Sequence, residues 1–316
     1  MKSGTTGTIA AGLAAAIFLG AAVSHAQSTP DSERCVSITG NPDLAIHHCT
    51  RAIESGKFSG EPLARLYFNR GVEWAAKGDF DRAIADYDAA IKLQPRSADT
   101  HFNRATAWAS KGDPDRAIAD YDAAIKLDPK EPAAYGGRAV EWAVKGDYAR
   151  AIADYDAAIK LEPKSSSALL GRGRARLYGG DFQRAVLDLE QAMKSEPNEY
   201  TALWLYLARK RGGGADAEEA LDRDTRATRS GWPGPVIVLY LGRTDAASVL
   251  AASTDPDANR QREQRCEANF YLAHWHLLRN ERERALALLK EAQDGCPKDF
   301  LEYEGTLAEL RRLQKP

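Results

Sequence analysis

The sequence predicts an all-α solenoid, a row of helix hairpins stacked in series, on three observations. Residues 81–93, DRAIADYDAAIKL, recur unchanged at 115–127, and again at 149–161 with one difference, Ala149 in place of Asp. Their starts lie 34 residues apart, a period at which one supersecondary unit repeats and cannot bury its apolar face alone. Within the period, apolar residues fall at helical spacing, and a Lys-Gly-Asp turn and a proline punctuate two helices. Arrays of this kind mainly present a curved surface to partners, and few are enzymes.

Residues 1–26 read as an export leader. Lys2 is a thin basic start, 9–23 an apolar stretch, and Ser24-His25-Ala26 a small-x-small cleavage site before Gln27. The apolar run, about 15 residues, is shorter than the ~20 needed to span a bilayer. Cys35 follows Ser-Glu-Arg, which is no lipid attachment site. Residues 27–63 are expected to form an N-terminal cap with a degenerate half repeat. Its helix, 41–56, carries Ala45, Ile46, Cys49, Ala52 and Ile53 as a stripe, and 56–62 is read as a loop.

Four units follow over 64–199. In the first, Tyr67, Gly71 and Trp74 share one helix, and Ala83, Ile84, Tyr87, Ala90 and Ile91 line the second, which Pro95 ends. The second unit has Ala105, Trp108, Ala117, Tyr121, Ala124 and Pro129 in the same places, and the third has Tyr135, Ala139, Trp142, Ala151, Tyr155, Ala158 and Pro163. The fourth keeps Leu169, Gly173, Ala185, Leu189, Ala192 and Pro197 but has Arg176 where the others have Trp. Small residues at the helix crossings with large ones around them resemble the tetratricopeptide repeat (TPR), so the expected fold is a TPR solenoid.

Residues 200–265 lose the period. Helices are expected at 200–210, 215–225, 236–241 and 245–252, broken by Gly212-Gly213-Gly214 and the SGWPG turn at 230–234. The period resumes at 266–300 with Tyr271, Ala273, Ala285, Leu289, Ala292 and Pro297. A final helix, 301–313, is expected to cap the array with a charged outer side. The even set of cysteines suggests two local bridges, Cys35–Cys49 and Cys266–Cys296, the second joining one end of a hairpin. Four unpaired thiols are the alternative if the chain is not exported.

The C-terminal third, with LWLYLA at 203–208, GWP and VLYLG within 231–242, EANFYLAHWHLLRNERERALALLKEA at 267–292 and DFLEY from 299, resembles the NlpI family of periplasmic TPR lipoproteins. That resemblance implies a homodimeric periplasmic adaptor that docks peptidoglycan hydrolases and a protease. The chain departs from the family in having no lipid-acceptor cysteine and in its added cysteine pairs.

Arg70, Arg104, Arg138 and Arg172 hold one place in the four first helices, and Asp86, Asp120, Asp154 and Asp188 one place in the second helices. Antiparallel packing brings these places together, which predicts structural ion pairs stacked as a ladder. A ligand-binding arginine row is the alternative.

No motif for nucleophilic, zinc or phosphate chemistry is present. His47 and His48 lie on different sides of a helix, and His274 and His276 share no face. Acidic pairs such as Asp86/Asp88 are expected to face solvent. The reading is therefore no enzyme, no cofactor and no metal. A net charge of −2, from 43 basic and 45 acidic residues, argues against nucleic acid.

Protein or peptide partners in the envelope are expected in a groove lined by the first helices: Phe68, Asn69 and Val72; Phe102, Asn103 and Thr106; Gly136 and Val140; Leu170, Arg174 and Tyr178. Aromatic steps with Asn between them suit a peptide backbone and its apolar anchors. A carboxylate clamp of the co-chaperone kind needs Lys and Asn where this chain has Phe68 and Val72. Two rival readings are a structural part of a secretion or outer-membrane assembly, and a cell-wall enzyme or glycan binder. The latter would need Asp216, Glu218, Glu219, Asp222 and Asp224 gathered into one site.

Overall fold

The computed structural model describes residues 30–227, 231–298 and 300–314, so the export leader lies outside the described residues. These hold seventeen helices and no strand. Helices α1 (Pro30–Ser37) and α2 (Pro42–Glu54) form the cap. Four hairpins follow: α3 (Gly60–Ala76) with α4 (Phe80–Leu93), α5 (Ala98–Lys111) with α6 (Pro114–Leu127), α7 (Pro132–Val144) with α8 (Tyr148–Leu161), and α9 (Ser166–Gly179) with α10 (Phe182–Ser195). Each second helix also packs on the first helix of the next hairpin, so the units stack in series. The irregular segment holds α11 (Glu199–Arg211), α12 (Ala217–Thr225), α13 (Gly234–Tyr240) and α14 (Ala246–Ala252). The hairpin of α15 (Ala258–Leu277) and α16 (Arg282–Gly295) and the last helix, α17 (Leu301–Gln314), complete the chain.

Local chemistry explains the hairpins. Asp79, Asp113, Asp147 and Asp181 cap the second helices by accepting from the backbone N–H three residues on. Just before them, Gly78, Gly112, Gly146 and Gly180 take φ of 76°, 76°, 80° and 86°, a turn that strains any other L-residue. The helices cross closely where glycine meets tyrosine. A Cβ at Gly71 would lie 2.7 Å from the Tyr87 ring, and one at Gly171 2.3 Å from that of Tyr155.

The ladder forms. Each of Arg70, Arg104, Arg138 and Arg172 grips the aspartate of its own hairpin through Nε and Nη2 at 2.6–2.9 Å. The remaining nitrogen reaches back one unit: Arg104 to Asp88, Arg138 to Asp122 and Arg172 to Asp156, each at 2.5 Å. Arg70 instead donates to Thr50 of the cap at 3.0 Å. The expected solvent-facing acidic pairs are thus divided, since Asp86, Asp120, Asp154 and Asp188 are buried in the hairpin contact and Asp88, Asp122 and Asp156 are the exposed half. Arg176, in place of Trp, joins the fourth rung at 2.6 Å from Asp188.

Three expectations need correction. The helix α15 begins at Ala258, well before Cys266, because Asp257 caps it by accepting from Asn259 and Arg260. The helix α3 begins at Gly60, inside the expected loop. Most consequentially, α17 does not keep its charges outside: Glu302, Glu304 and Glu309 are buried, at 4%, 4% and 0% exposure. Both cysteine pairs are bridged, Cys35–Cys49 and Cys266–Cys296.

Candidate functional site

Counting in steps of 34 places one face of the first helices in register: Phe68, Phe102, Gly136 and Leu170 on one row, and Val72, Thr106, Val140 and Arg174 on another. In units one and two this face is partly open. Phe68 leans on Tyr87 with ring centroids 6.0 Å apart, and Phe102 meets Tyr121 edge-on at 5.7 Å, so each ring is half-buried within its own hairpin. Thr106 is exposed and bonds the Phe102 carbonyl at 3.1 Å and the Tyr121 hydroxyl at 3.2 Å. The Asn103 amide donates to the Asp99 carbonyl at 2.8 Å, back along its own helix. The Asn69 amide nitrogen is buried and has no hydrogen-bond partner among the described residues.

Units three and four differ, because α17 lies against this face. Arg174 is 1% exposed and donates to the Leu301 carbonyl at 3.0 Å and the Glu304 carboxylate at 2.7 Å. Tyr178 packs between Tyr148 and Trp204, and a Cβ at Gly305 of α17 would lie 2.6 Å from its hydroxyl. Arg311 donates to the Val144 and Ala143 carbonyls at the end of α7, at 2.6 and 3.2 Å. Lys298 reaches the Lys111 carbonyl at the end of α5, at 3.0 Å. Cations at helix C-termini satisfy the free carbonyls and the negative end of the helix dipole. Leu170 packs against the large C-terminal core, and Val140 against the core of the third unit. Arg174 and Tyr178, expected in the groove, are therefore taken up by the chain itself. The signal for this was the run of glutamates in 302–309, whose spacing puts 302 and 309, a heptad apart, on one helix face.

The electrostatics follow from burial. Glu141 of α7 is 6% exposed, and burial, helped by the neighbouring Glu304, pushes its carboxyl up to about 7. Glu267 of α15 accepts from the Tyr200 hydroxyl at 2.9 Å and from the Trp232 indole N–H. Burial, and then Glu302 nearby, pushes it up to about 8. Burial holds His274 neutral, down to about 3.

Chemically active clusters are few. No group of three or more His, Cys, Asp or Glu placed to hold a metal occurs among the described residues. His48 bonds Asp31 at 2.7 Å, and His276 bonds Glu281 at 2.7 Å. Three of the carboxylates that a glycan-processing site would need are taken up in ion pairs: Asp222 with Arg226 and Arg243, Glu218 with Lys210, and Asp224 with Arg223, which Asp216 and Glu219 also face. A shallow hollow of about 430 Å³ beside Trp232 and Asp255 contains none of them. No described helix is long and apolar enough to cross a membrane.

The family model for the tetratricopeptide repeat matches residues 68–132 and 143–200. No curated protein matches the chain. Among solved structures, a tetratricopeptide repeat protein from Parabacteroides merdae is 17% identical, with a TM-score of 0.57 over 89% of this chain and 99% of its own. The C-terminal part of a TPR repeat-containing protein from Cytophaga hutchinsonii is 17% identical, with a TM-score of 0.52 over 84% and 94%. YrrB, described as a TPR protein with an unusual peptide-binding site, is 17% identical, with a TM-score of 0.51 over 62% and 98%. At such identities the likeness speaks for the fold alone. Repeat period, serial hairpins and family model agree that residues 68–200 form a tetratricopeptide-repeat array.

Proposed function

We propose that the chain is a non-enzymatic docking scaffold of the periplasm or cell envelope, and that its partner lies on the open face of units one and two. One observation carries this reading. On that face Phe68, Val72, Phe102 and Thr106 remain accessible, a row of apolar anchors with a hydroxyl beside them that suits a protein segment. Proteins of this repeat class generally act as binding scaffolds, and the peptide-binding site of YrrB is in keeping with that use. The two disulfides suit an oxidising compartment. The C-terminal likeness to the NlpI family supports peptidoglycan hydrolases and a protease as the clients, and a homodimer as the working form.

The site then comprises Phe68, Asn69, Val72, Phe102, Asn103 and Thr106, with Val140 at the edge of the part that α17 covers. Affinity capture from a periplasmic extract, compared between the native chain and the Phe68→Ala/Phe102→Ala double variant, tests it. The variant is expected to keep its helical circular dichroism and to lose the partners that the native chain recovers. Equal recovery by both removes the open face from the proposal.

A further inference from the structure

A helix that seals a core has no need of carboxylates, and each buried charge is costly unless paired. The buried face of α17 nevertheless carries three, and their partners differ. Glu309 ion-pairs with Arg211 and, at 2.8 Å, with Arg312. Burial raises that carboxyl, but Arg211 and Arg312 more than offset it, so it sits below its ordinary value. Glu304 has Arg174 and faces Arg311 as well as Glu141 on the opposite wall. Glu141 makes no ion pair among the described residues. The third, Glu302, accepts from the Tyr271 hydroxyl at 2.9 Å and faces Glu267.

Where α17 meets the array, the cluster of Glu267, Glu302 and Glu263 therefore holds more carboxyls than cations, and in the other cluster Arg174 and Arg311 serve Glu304 while Glu141 has no ion pair. The other groups around Glu141 are the Tyr121 and Tyr155 phenols, and those beside Glu304 are Tyr148 and Tyr178. Around Glu267 and Glu302 stand Tyr200, Tyr271 and a further carboxylate, Glu263, and Glu302 also faces Glu304 and the Arg174 cation. Burial raises every one of these phenols, so none supplies charge.

We propose that α17 is a proton-coupled latch over the second half of the groove. It closes on units three and four with uptake of protons on Glu141 and the Glu267–Glu302 pair, and loosens as they ionise, releasing Arg174 and Tyr178 from α17.

The sign follows from linkage. A carboxyl whose value is higher when docked than when free favours docking at low pH and loses that contribution as pH rises through the docked value. An ordinary glutamate titrates at 4.5, whereas with α17 in place Glu141 sits at about 7 and Glu267 at about 8, raised in part by Glu304 and Glu302 of α17 itself. The latch is therefore tightest near pH 5 and loosens up to about pH 8. Inside its window each such proton shifts docking by up to about tenfold per pH unit. The Glu309–Arg211 pair stays charged throughout, so the far end of α17 holds while its first turns release. The Cys266–Cys296 bridge keeps the released segment tethered to α15.

The biological meaning of the latch rests on the docking reading, but its test does not. Hydrogen–deuterium exchange of the intact, oxidised chain is followed from pH 5.5 to 8.5, corrected for intrinsic exchange. Protection of the first turns of α17 is expected to fall by at least about tenfold over that range, while α4 stays flat. Glu141→Gln/Glu267→Gln, which keeps the acceptor oxygens for Tyr200 and Trp232, is expected to abolish the slope. If that double variant does not fold, Glu141→Gln alone is expected to reduce it. A flat native profile, or a slope unchanged in the variants, overturns the latch and leaves the open face of units one and two untouched.

Discussion

In the first three repeat units the buried residues are mostly alanines around one tyrosine, Tyr87, Tyr121 or Tyr155, whereas α11 alone buries every residue from Thr201 to Ala208, with Trp204 at 0% exposure. The charges differ in the same way. The ladder arginines keep about a fifth of their side chains exposed, at 17–21%, and bond aspartates 16 residues away. Arg174, at 1%, bonds a glutamate 130 residues away. The array is thus a set of local solutions repeated, each satisfied by itself and its neighbour. The C-terminal third is one long-range solution, in which distant residues satisfy one another or are left in a costly state. This contrast explains why the groove is open where the repeats are most regular and closed where they fade.

The largest expected effect is at the centre of the long-range part. Arg174→Ala leaves Glu304 buried beside Glu141 without its ion-pair partner, and should cost about 3–5 kcal/mol in denaturant unfolding. Arg104→Ala in the ladder removes three charged hydrogen bonds, but Asp120 keeps His101 at 3.3 Å and some access to water. Its cost should be about 1–3 kcal/mol. Equal costs would break the distinction between local and long-range charge.

A smaller effect separates the closed crossings from an uncrowded position on the groove row of unit three. At Gly171 a Cβ would strike the Tyr155 ring at 2.3 Å, so Gly171→Ala should destabilise by about 1–3 kcal/mol. At Gly136, on the groove row with Phe68, nothing lies within 4 Å of such a Cβ. Gly136→Ala should therefore stabilise by roughly 0.5–1 kcal/mol through helix propensity alone. A loss of stability at Gly136 would mean that the groove beside it is filled.

What the sequence discloses follows the same division. Period, turn glycines, capping aspartates and the Arg–Asp ladder are local, so spacing alone reveals them, and the chain positions of the four cysteines suggest the disulfide pairing, with coinciding hairpin ends as a further reason for Cys266–Cys296. The short helices of 200–265 are legible too, although VIVLY has strand-like composition, because a Gly-Pro start sets it as α13. The position of α17 is at most hinted at by the heptad spacing of Glu302 and Glu309. Its glutamates look like a solvated face until Arg174 and Arg211 are known to stand opposite, and those lie about a hundred residues or more away in the chain. Arg174 accordingly reads from sequence as a groove residue open to a ligand, when its ligand is Glu304. The same blindness applies to Glu141 and Glu267, whose raised values come from burial that no local pattern announces.

The smallest effect tests what the ladder is for. Asp88, Asp122 and Asp156 supply the outer limb of each rung and are 52–57% exposed. Asp88→Asn should cost no more than about 1 kcal/mol, since exposed pairs gain little over water. That cost should shrink further in molar salt, where the screening length falls to about 3 Å. Even Asp88→Asn/Asp122→Asn/Asp156→Asn together should then cost less than Arg174→Ala, although they remove three ion pairs instead of one. The reason is the reference state: an exposed aspartate that loses its arginine regains water, and a buried glutamate does not. If the triple variant costs as much as Arg174→Ala, the ladder is a source of stability in its own right. If it costs little but loosens the stacking of one hairpin on the next, seen as faster amide exchange where α4 meets α5 and α6 meets α7, the outer limb sets the register between units. The curvature of the open face would then depend on contacts that contribute almost nothing to its stability.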